Sequence, residues 1–423
     1  MTAERKGLRC NVCTGCGLCP GVQQPNRTYQ KLDIISECLL PESAPHLRDA
    51  AGAGFFGVNA AAEYVVAIDI GTTTIAMVLY DGTGKALGRY AAVNPQRKYG
   101  ADVLSRIKAC EDKAKAEDMQ ALVYRELEKG LAALRKDIPQ GASVCIYAAA
   151  NTTETYLCMG WNPEELGQAP FTVSRKEAGR LYIGDSEICF FPPLSAFVGG
   201  DIVSGIFALN MAESDRLTLF IDLGTNGEIV LGNRDRMLAC ATAAGPAFEG
   251  GVNSGIWGAD MTSILASLRK SGYLDEDGLI KEPYFEKGVR AGNVTVTMEA
   301  VRAVQMAKAA IAAGVEILMQ NFGITEEAVE RVVLAGGFGY FLDPAAAAEI
   351  GLLPEKLCKK AISGGNTSLA GCMKAGIVSG AGGAADTLQG KLSAILDKVV
   401  CVNLANEASF NEKYIEHLAL KKF

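Results

Sequence analysis

Two apolar strands in this chain end in the same short pattern. YVVAIDIGTTTIAMVLYD, residues 64–81, carries Asp69-Ile70-Gly71-Thr72, and LTLFIDLGTNGEIVLGNR, residues 217–234, carries Asp222-Leu223-Gly224-Thr225. Gly71 and Gly224 have no side chain, so backbone N–H groups there can close on phosphate oxygens. Thr72, Thr73, Thr74, Thr225 and Asn226 add short donors at the same height. Asp69 and Asp222 stand where triphosphate charge would collect, and phosphate would repel them unless a divalent cation intervened. The pattern therefore implies Mg²⁺ held through carboxylates and waters. One such turn is usually only a hairpin turn; two of them describe a nucleotide triphosphate gripped from two sides.

A third element strengthens that reading. Gly336, Gly337, Phe338 and Gly339 directly follow the strand at 331–334, and consecutive glycines let backbone approach a flat ring and its ribose. Gly364-Gly365-Asn366 is a second loop, read either as a nucleotide contact through Gly365 or as a plain turn. Asn151 and Thr152, at a strand end expected to face the cleft, are further binding candidates. Asp201, in VGGDIVSG, is read as a group that places water or metal for hydrolysis, or as a helix N-cap. Asp69, Asp201 and Asp222 are thus the candidate catalytic acids, while Arg97, Lys98 and Arg106 read as solvated surface charges.

Cysteine carries the other chemistry. Cys10, Cys13, Cys16 and Cys19 have C-x2-C-x2-C-x2-C spacing, with Pro20 after the last. Thiolates so spaced can converge on one metal centre, and a 4Fe–4S cluster on Cys10, Cys13 and Cys16 would take Cys19 or Cys38 as its fourth ligand. Structural zinc and unligated thiols are the competing readings. The chain has 13 cysteines, an odd number, and no signal-peptide pattern. This argues for a reducing cytoplasm and against a disulfide framework. Only two histidines exist, His46 and His417, which disfavours histidine-rich metal sites and a Ser-His-Asp triad. A net charge of −7 without a basic cluster argues against nucleic acid, and no apolar run is long enough to span a membrane.

These groups need elements to position them. Residues 1 to about 60 read as a separate Cys-rich segment and linker. From Tyr64 the pattern becomes α/β, with a hairpin at 64–80, a strand at 86–92, helices at 101–115 and 118–135, and a buried strand ending at Asn151. A small-residue helix follows the Pro-marked FFPPLSAF. The second half restarts with a hairpin at 217–233, a strand at 237–243, helices at 259–273 and 298–323, and the strand at 331–334. The expected division is 64–213 and 214–423, with C-terminal helices returning to the first lobe.

The order of hairpin, second hairpin and AGGFG turn resembles the acetate and sugar kinase, heat-shock cognate and actin (ASKHA) superfamily. The resemblance implies an α/β, two-lobed, ribonuclease-H-like ATPase fold with ATP in the cleft, here behind a small Cys-rich segment. Within it, NPQRKYGADVLSRI (94–107), NTT (151–153), FVGGDIVSG (197–205), ACATAAGPAFEGG (239–251) and LAGGFGYFLDPAAAAEIGLLP (334–354) look like the reductive activators of corrinoid-dependent enzymes. That family implies an iron–sulfur protein that uses ATP to reduce Co(II) to Co(I) in the corrinoid protein of a methyltransferase system. It also implies an upstream electron donor, and a homodimer is a further expectation. The chain departs from the family in its short front and in reading GIWGADMTS (255–263) where a G-x-C-G-S-G segment is expected. Two other functions compete on the same fold: a small-metabolite kinase, and a nucleotide-dependent switch with a structural metal knob.

Overall fold

The computed structural model describes residues 62–224, 226–243, 258–292, 294–378 and 388–423. The cysteine cluster, Cys38, Thr225 and most of AAGPAFEGG lie outside the described residues.

The first half opens with β1 (Tyr64–Ile70), β2 (Thr74–Asp81) and β3 (Ala86–Val93), an antiparallel meander. Then come α1 (Val103–Ala109), α2 (Lys113–Leu134), β4 (Val144–Ala150), α3 (Thr152–Met159), α4 (Glu164–Gly167), β5 (Arg180–Ile183), β6 (Ser186–Phe190) and α5 (Gly200–Ala208). The sheet order is β3-β2-β1-β4-β6-β5, with β4 parallel to β1 and to β6. The expected helix at 101–115 is shorter. It ends at Cys110, and Asp112 caps the next helix by accepting from Ala114 N at 3.0 Å. The hairpin β5–β6, turning at Gly184-Asp185, was not expected from the sequence.

The second half repeats the plan. β7 (Thr218–Leu223), β8 (Gly227–Gly232) and β9 (Met237–Thr242) form the meander. They are followed by α6 (Gly258–Lys270), the small hairpin β10 (Val289–Ala291) and β11 (Val294–Val296), α7 (Met298–Phe322), β12 (Arg331–Ala335) and α8 (Gly336–Gly339). The chain then runs through α9 (Pro344–Glu349), α10 (Glu355–Cys358), β13 (Ala361–Gly365), α11 (Thr367–Val378), α12 (Leu388–Lys398), β14 (Val399–Cys401) and α13 (Phe410–Glu416). The sheet order is β13-β12-β7-β8-β9-β14, and β12 is parallel to β7 as β4 is to β1. The short strands β13 and β14 take the sheet's two edges, where helix and loop alone were expected. The glycine-rich turn Gly336–Gly339 is a single helical turn.

Strand composition explains the layers. β1 and β2 are almost wholly buried, as strands covered on both faces must be. One face of β1 packs with α2 in a first-half core built on Ile68, Ile70, Met77, Leu127 and Leu131. Its other face, Val65 and Ala67, shares a core with Phe220, Val230 and Val333 of the second sheet. α5 and α11 are sandwiched there. They cross closely because their contact residues are small: Ser204 Oγ donates to Ser368 O at 2.8 Å, and Cys372 Sγ reaches Ile68 O at 3.6 Å. α11, which follows the second sheet's edge strand, thus lies against β1 of the first sheet. No helix among the described residues is long and apolar enough to cross a membrane.

A Cβ on Gly371 would meet Ser204 O at 2.2 Å, inside any real contact distance. Gly371→Val therefore forces α5 and α11 apart, and overpacking of this kind costs about 1–3 kcal/mol. Chemical denaturation should show a lower midpoint for this variant, with far-UV helix content retained before the transition.

Candidate nucleotide site

The turn between β1 and β2 is braced from behind. Gly71 N–H donates to Thr74 O at 2.8 Å, and Gly224 N–H donates to Asn226 O at 2.9 Å in the second turn. Both glycine amides are spent closing their turns, so donors toward a phosphate must come from the residues that follow. Three consecutive carbonyls of the first turn are held: Gly71 O by Asn94 Nδ2 at 2.9 Å, Thr72 O by Arg106 Nη2 at 2.5 Å, and Thr73 O by Asn94 N at 2.9 Å. In a planar trans peptide the N–H points opposite its carbonyl. Holding these carbonyls on one side therefore turns the Thr72 and Thr73 amides away from the brace.

The brace rests on a buried ion pair. Arg106 Nη1 donates to Glu154 Oε1 at 2.6 Å, and both side chains are 0% exposed. Arg106 Nε also donates to Gly100 O at 3.1 Å, and Glu154 Oε2 accepts from Asn94 Nδ2 at 3.3 Å. Burial pushes the Glu154 carboxyl upward, against the opposing pull of Arg106. Arg106 is thus not the solvated charge expected from the sequence; Arg97 and Lys98 are exposed. Local capping explains the placement: Asp102 accepts from Ser105 N at 2.9 Å, starting α1 so that Arg106 falls on its inner face.

Asn151 and Thr152 belong to the same scaffold. Asn151 caps α3 by accepting from Glu154 N at 2.9 Å, and its Nδ2 donates to Thr72 Oγ1 at 3.0 Å. Thr152 is 1% exposed and its hydroxyl donates to Ser195 O at 2.6 Å. Thr152 therefore serves the fold and has no hydroxyl to offer a ligand.

Four carboxylates gather beyond the turns. Asp69 ends β1, Asp222 ends β7, Asp201 lies in the first turn of α5, and Glu228 pairs with Asp222 across β7–β8. Burial pushes Asp69 up to about 7, against a hydrogen bond from Asn366, with Asp201 adding repulsion. Burial pushes Asp222 up to about 8, reinforced by Asp201 and then Asp69. Asp201 rises to about 6 through burial, although its Oδ1 accepts from Ile202 N at 2.8 Å. Glu228 is raised well above the usual carboxylate range by burial, then by Asp201 and Asp222. The sequence reading passed over Glu228; one acid in an otherwise apolar strand was the available signal. The N-cap of α5 is Gly199, so the capping alternative for Asp201 does not hold.

The glycine-rich element meets the same place. Gly336 has φ +78, and a Cβ on it would meet Asp222 Oδ1 at 2.4 Å. A Cβ on Gly337 would have open space around it, whereas Phe338 is 5% exposed and packs in the second half's core. Phe338 is therefore not a ring that stacks on a base. Gly365 closes β13 and leads directly into Asn366 and α11. Asn366 Nδ2 donates to Asp69 Oδ2 at 2.6 Å, while Thr367 Oγ1 is buried without a hydrogen-bond partner beside Asp222.

Among the described residues, no three Cys, His, Asp or Glu side chains converge to ligate a metal directly. Mg²⁺ suits such a site, because it keeps several waters and takes one or two carboxylates plus phosphate oxygens. The raised carboxylates and the orphaned Thr367 hydroxyl are what a hydrated cation and phosphate would satisfy.

Two outcomes follow from this geometry. Glu154→Ala leaves Arg106 buried without its partner, which costs about 3–5 kcal/mol; urea unfolding should register it, and nucleotide affinity should fall as the turn loosens. The folded chain retains protons on Asp69 and Asp222 that the unfolded chain releases above about 4, so stability declines as pH rises through about 8. Without cation, the thermal midpoint should drop over that window, and Mg²⁺ with a nucleotide should raise it more at pH 8 than at pH 5.

Comparison with known proteins agrees with this architecture. Residues 64–214 match the RACo middle region, and residues 216–256 and 252–423 match the C-terminal domain of RACo, the ASKHA domain. The chain is 32% identical over 367 residues to the corrinoid activation enzyme RamQ of Eubacterium limosum, covering 69% of this chain and 60% of that protein. It is 25% identical over 244 residues to the Co(II) methylated amine-specific corrinoid protein reductase of Methanosarcina barkeri, covering 45% of each. It thus spans 60% and 45% of the lengths of these two relatives. A solved structure of a reductive activator for corrinoid, iron-sulfur protein aligns with a TM-score of 0.74 at 29% identity, covering 86% of this chain and 67% of that one. With both regions matched across the two halves, the chain belongs to the RACo family of corrinoid reductive activators.

Proposed function

We propose that this chain is an ATP-dependent iron–sulfur electron donor that returns a corrinoid protein of a methyltransferase system from Co(II) to Co(I) in the cytoplasm. The observation that supports this most is convergence. Asp69 from the first half, Asp222 from the second and the start of α11 meet at one cleft, in a chain whose relatives are named for corrinoid activation.

Bound Mg-ATP would supply the free energy of γ-phosphate hydrolysis. The chain's own residues have five tasks. The Thr72 and Thr73 amides, and the residues that follow Gly224 in the second turn, receive phosphate oxygens. Asp69 and Asp222 orient the hydrated cation. Gly336 and Gly337 let backbone approach the nucleoside. Asp201 orients the attacking water, its carboxyl poised near about 6. Cys10, Cys13 and Cys16, with Cys19 or Cys38, would hold a 4Fe–4S cluster, which would supply one-electron reducing chemistry toward cobalt with an upstream donor as its electron source. For one electron, about 60 mV corresponds to ~1.4 kcal/mol, so an uphill step of a few hundred millivolts takes several kcal/mol.

The test is ATP- and Mg²⁺-dependent Co(II)-to-Co(I) reduction by the anaerobically purified chain, followed by cobalt spectroscopy. Asp222→Ala should lower the rate about 100-fold, in the range seen when one electrostatic stabiliser is lost. Cys13→Ser should abolish the visible absorption that dithionite bleaches. Full activity in both variants would overturn the proposal. A colourless zinc protein that phosphorylates a small molecule would select the kinase reading instead.

A further inference from the structure

Three consecutive residues at the start of α11 each touch one of the three aspartates. Asn366 Nδ2 donates to Asp69 Oδ2 at 2.6 Å. Thr367, 0% exposed, has its hydroxyl beside Asp222, where it opposes the rise in that group's pKa without making a hydrogen bond of good geometry. Ser368 Oγ donates to Asp201 O at 3.4 Å. Asp69 comes from the first sheet, Asp222 from the second, and Asp201 from the helix that α11 crosses. A helix N-terminus beside acids also places partial positive charge against them.

We propose that Asn366-Thr367 is the positioning element for Asp69 and Asp222, and that Asn366 sets the Asp69 carboxylate from a helix that follows the second sheet, while Ser368 ties the same turn to the main chain of Asp201. The inference rests on the nucleotide–magnesium reading above and extends it to residues that touch neither phosphate nor cobalt. Two features of Asn366 make the role specific. Its Oδ1 accepts from Leu369 N at 2.8 Å, so the amide is locked as the cap of α11 and its NH₂ has only one direction left. That direction is toward Asp69, residue 69 of a strand in the other half, and the contact spans 297 positions of chain. The Asp69 carboxylate therefore has one oxygen held by Asn366 and one free for a hydrated cation. A shift of α11 would move the held oxygen, and with it the orientation of the free one. Thr367 stands in the corresponding place at Asp222, its buried hydroxyl set beside that carboxyl.

The cap and the latch can be separated by substitution in the full chain. Asn366→Ser keeps a good N-cap oxygen but is too short to reach Asp69. Asn366→Asp keeps the cap and sets a second carboxylate against Asp69. Binding of a fluorescent ATP analogue, titrated with Mg²⁺, reads the effect without turnover. Both variants should raise the Mg²⁺ half-saturation about tenfold or more, as expected for a lost hydrogen bond to a charged group. Binding without Mg²⁺ should be unchanged, and thermal midpoints should stay close to that of the unaltered chain. Thr367→Val should raise the Mg²⁺ requirement, and Thr367→Ser should restore it. Unchanged Mg²⁺ dependence in Asn366→Ser and Asn366→Asp, with loss of binding in Asp69→Asn and Asp222→Ala, would overturn the positioning role and leave the nucleotide site standing. Unchanged binding in the aspartate variants as well would remove the nucleotide reading itself. Loss of the fold in Asn366→Ser, where the cap survives, would show that the Asp69 contact serves stability and would also overturn the role.

Discussion

Four carboxylates share one small volume where two sheets end, and the surrounding structure is organised around their mutual repulsion. Asp69, Asp201, Asp222 and Glu228 are all pushed above the ordinary carboxylate range, by burial and, for three of them, by one another. Such a cluster costs stability. It persists because the elements carrying it are held by interactions elsewhere: the apolar strands β1, β2, β7 and β12 covered on both faces, a shared core between the sheets, and a pair of helices crossing through small residues. The offset comes from the N-terminus of α11, from Asn366, and from whatever cation the site takes.

The two Asp-x-Gly-Thr hairpins look alike in sequence but are supported differently. The first is fixed by a polar scaffold within its own half: Asn94 and Arg106 take up the turn's carbonyls, Asn151 donates to the Thr72 hydroxyl, and Glu154 accepts from Asn94 and Arg106 behind them. The second has an acid, Glu228, where the first has Ala76 across from its aspartate. It is pressed by Gly336, where any side chain would strike Asp222. A duplicated motif has thus become one rigid turn and one turn with an additional acid. This asymmetry suits a ligand whose two ends differ in charge.

Much of this was legible in the chain. The alternation of apolar strands, the doubled Asp-x-Gly-Thr and the glycine run after β12 follow from local rules, and local rules are what a single sequence displays. Arg106 was not legible, because its burial depends on Glu154 approaching from an element 48 positions away. Asn366 was visible only as part of a turn, because its meaning lies in a strand 297 positions distant. The inward placement of the Thr152 hydroxyl and the Phe338 ring was not legible for the complementary reason: a residue in a candidate ligand motif can point into the core, and side-chain direction is set by packing. The strands β13 and β14 were missed because a strand of three to five residues at a sheet edge is defined by its neighbour, not by its own composition.

An ATP-driven electron transfer needs two protein states that bind nucleotide differently, since a ligand shifts an equilibrium only by its differential affinity. The element that distinguishes such states has to contact both halves and the ligand site together. α11 meets that requirement among the described residues. It starts on the acids, crosses α5, and runs against β1, with Gly376 packed so closely that a Cβ would come within 2.4 Å of Val65. A helix this tightly seated does not bend to accommodate a cation; it moves as a body or not at all, because packed interfaces switch between arrangements more readily than they deform. On the function proposed above, a change in how Asp69 and Asp222 hold a cation would be transmitted along α11 to β1. The acids' repulsion would then be the source of the coupling: a site that costs energy when empty is one whose filling has energy to deliver.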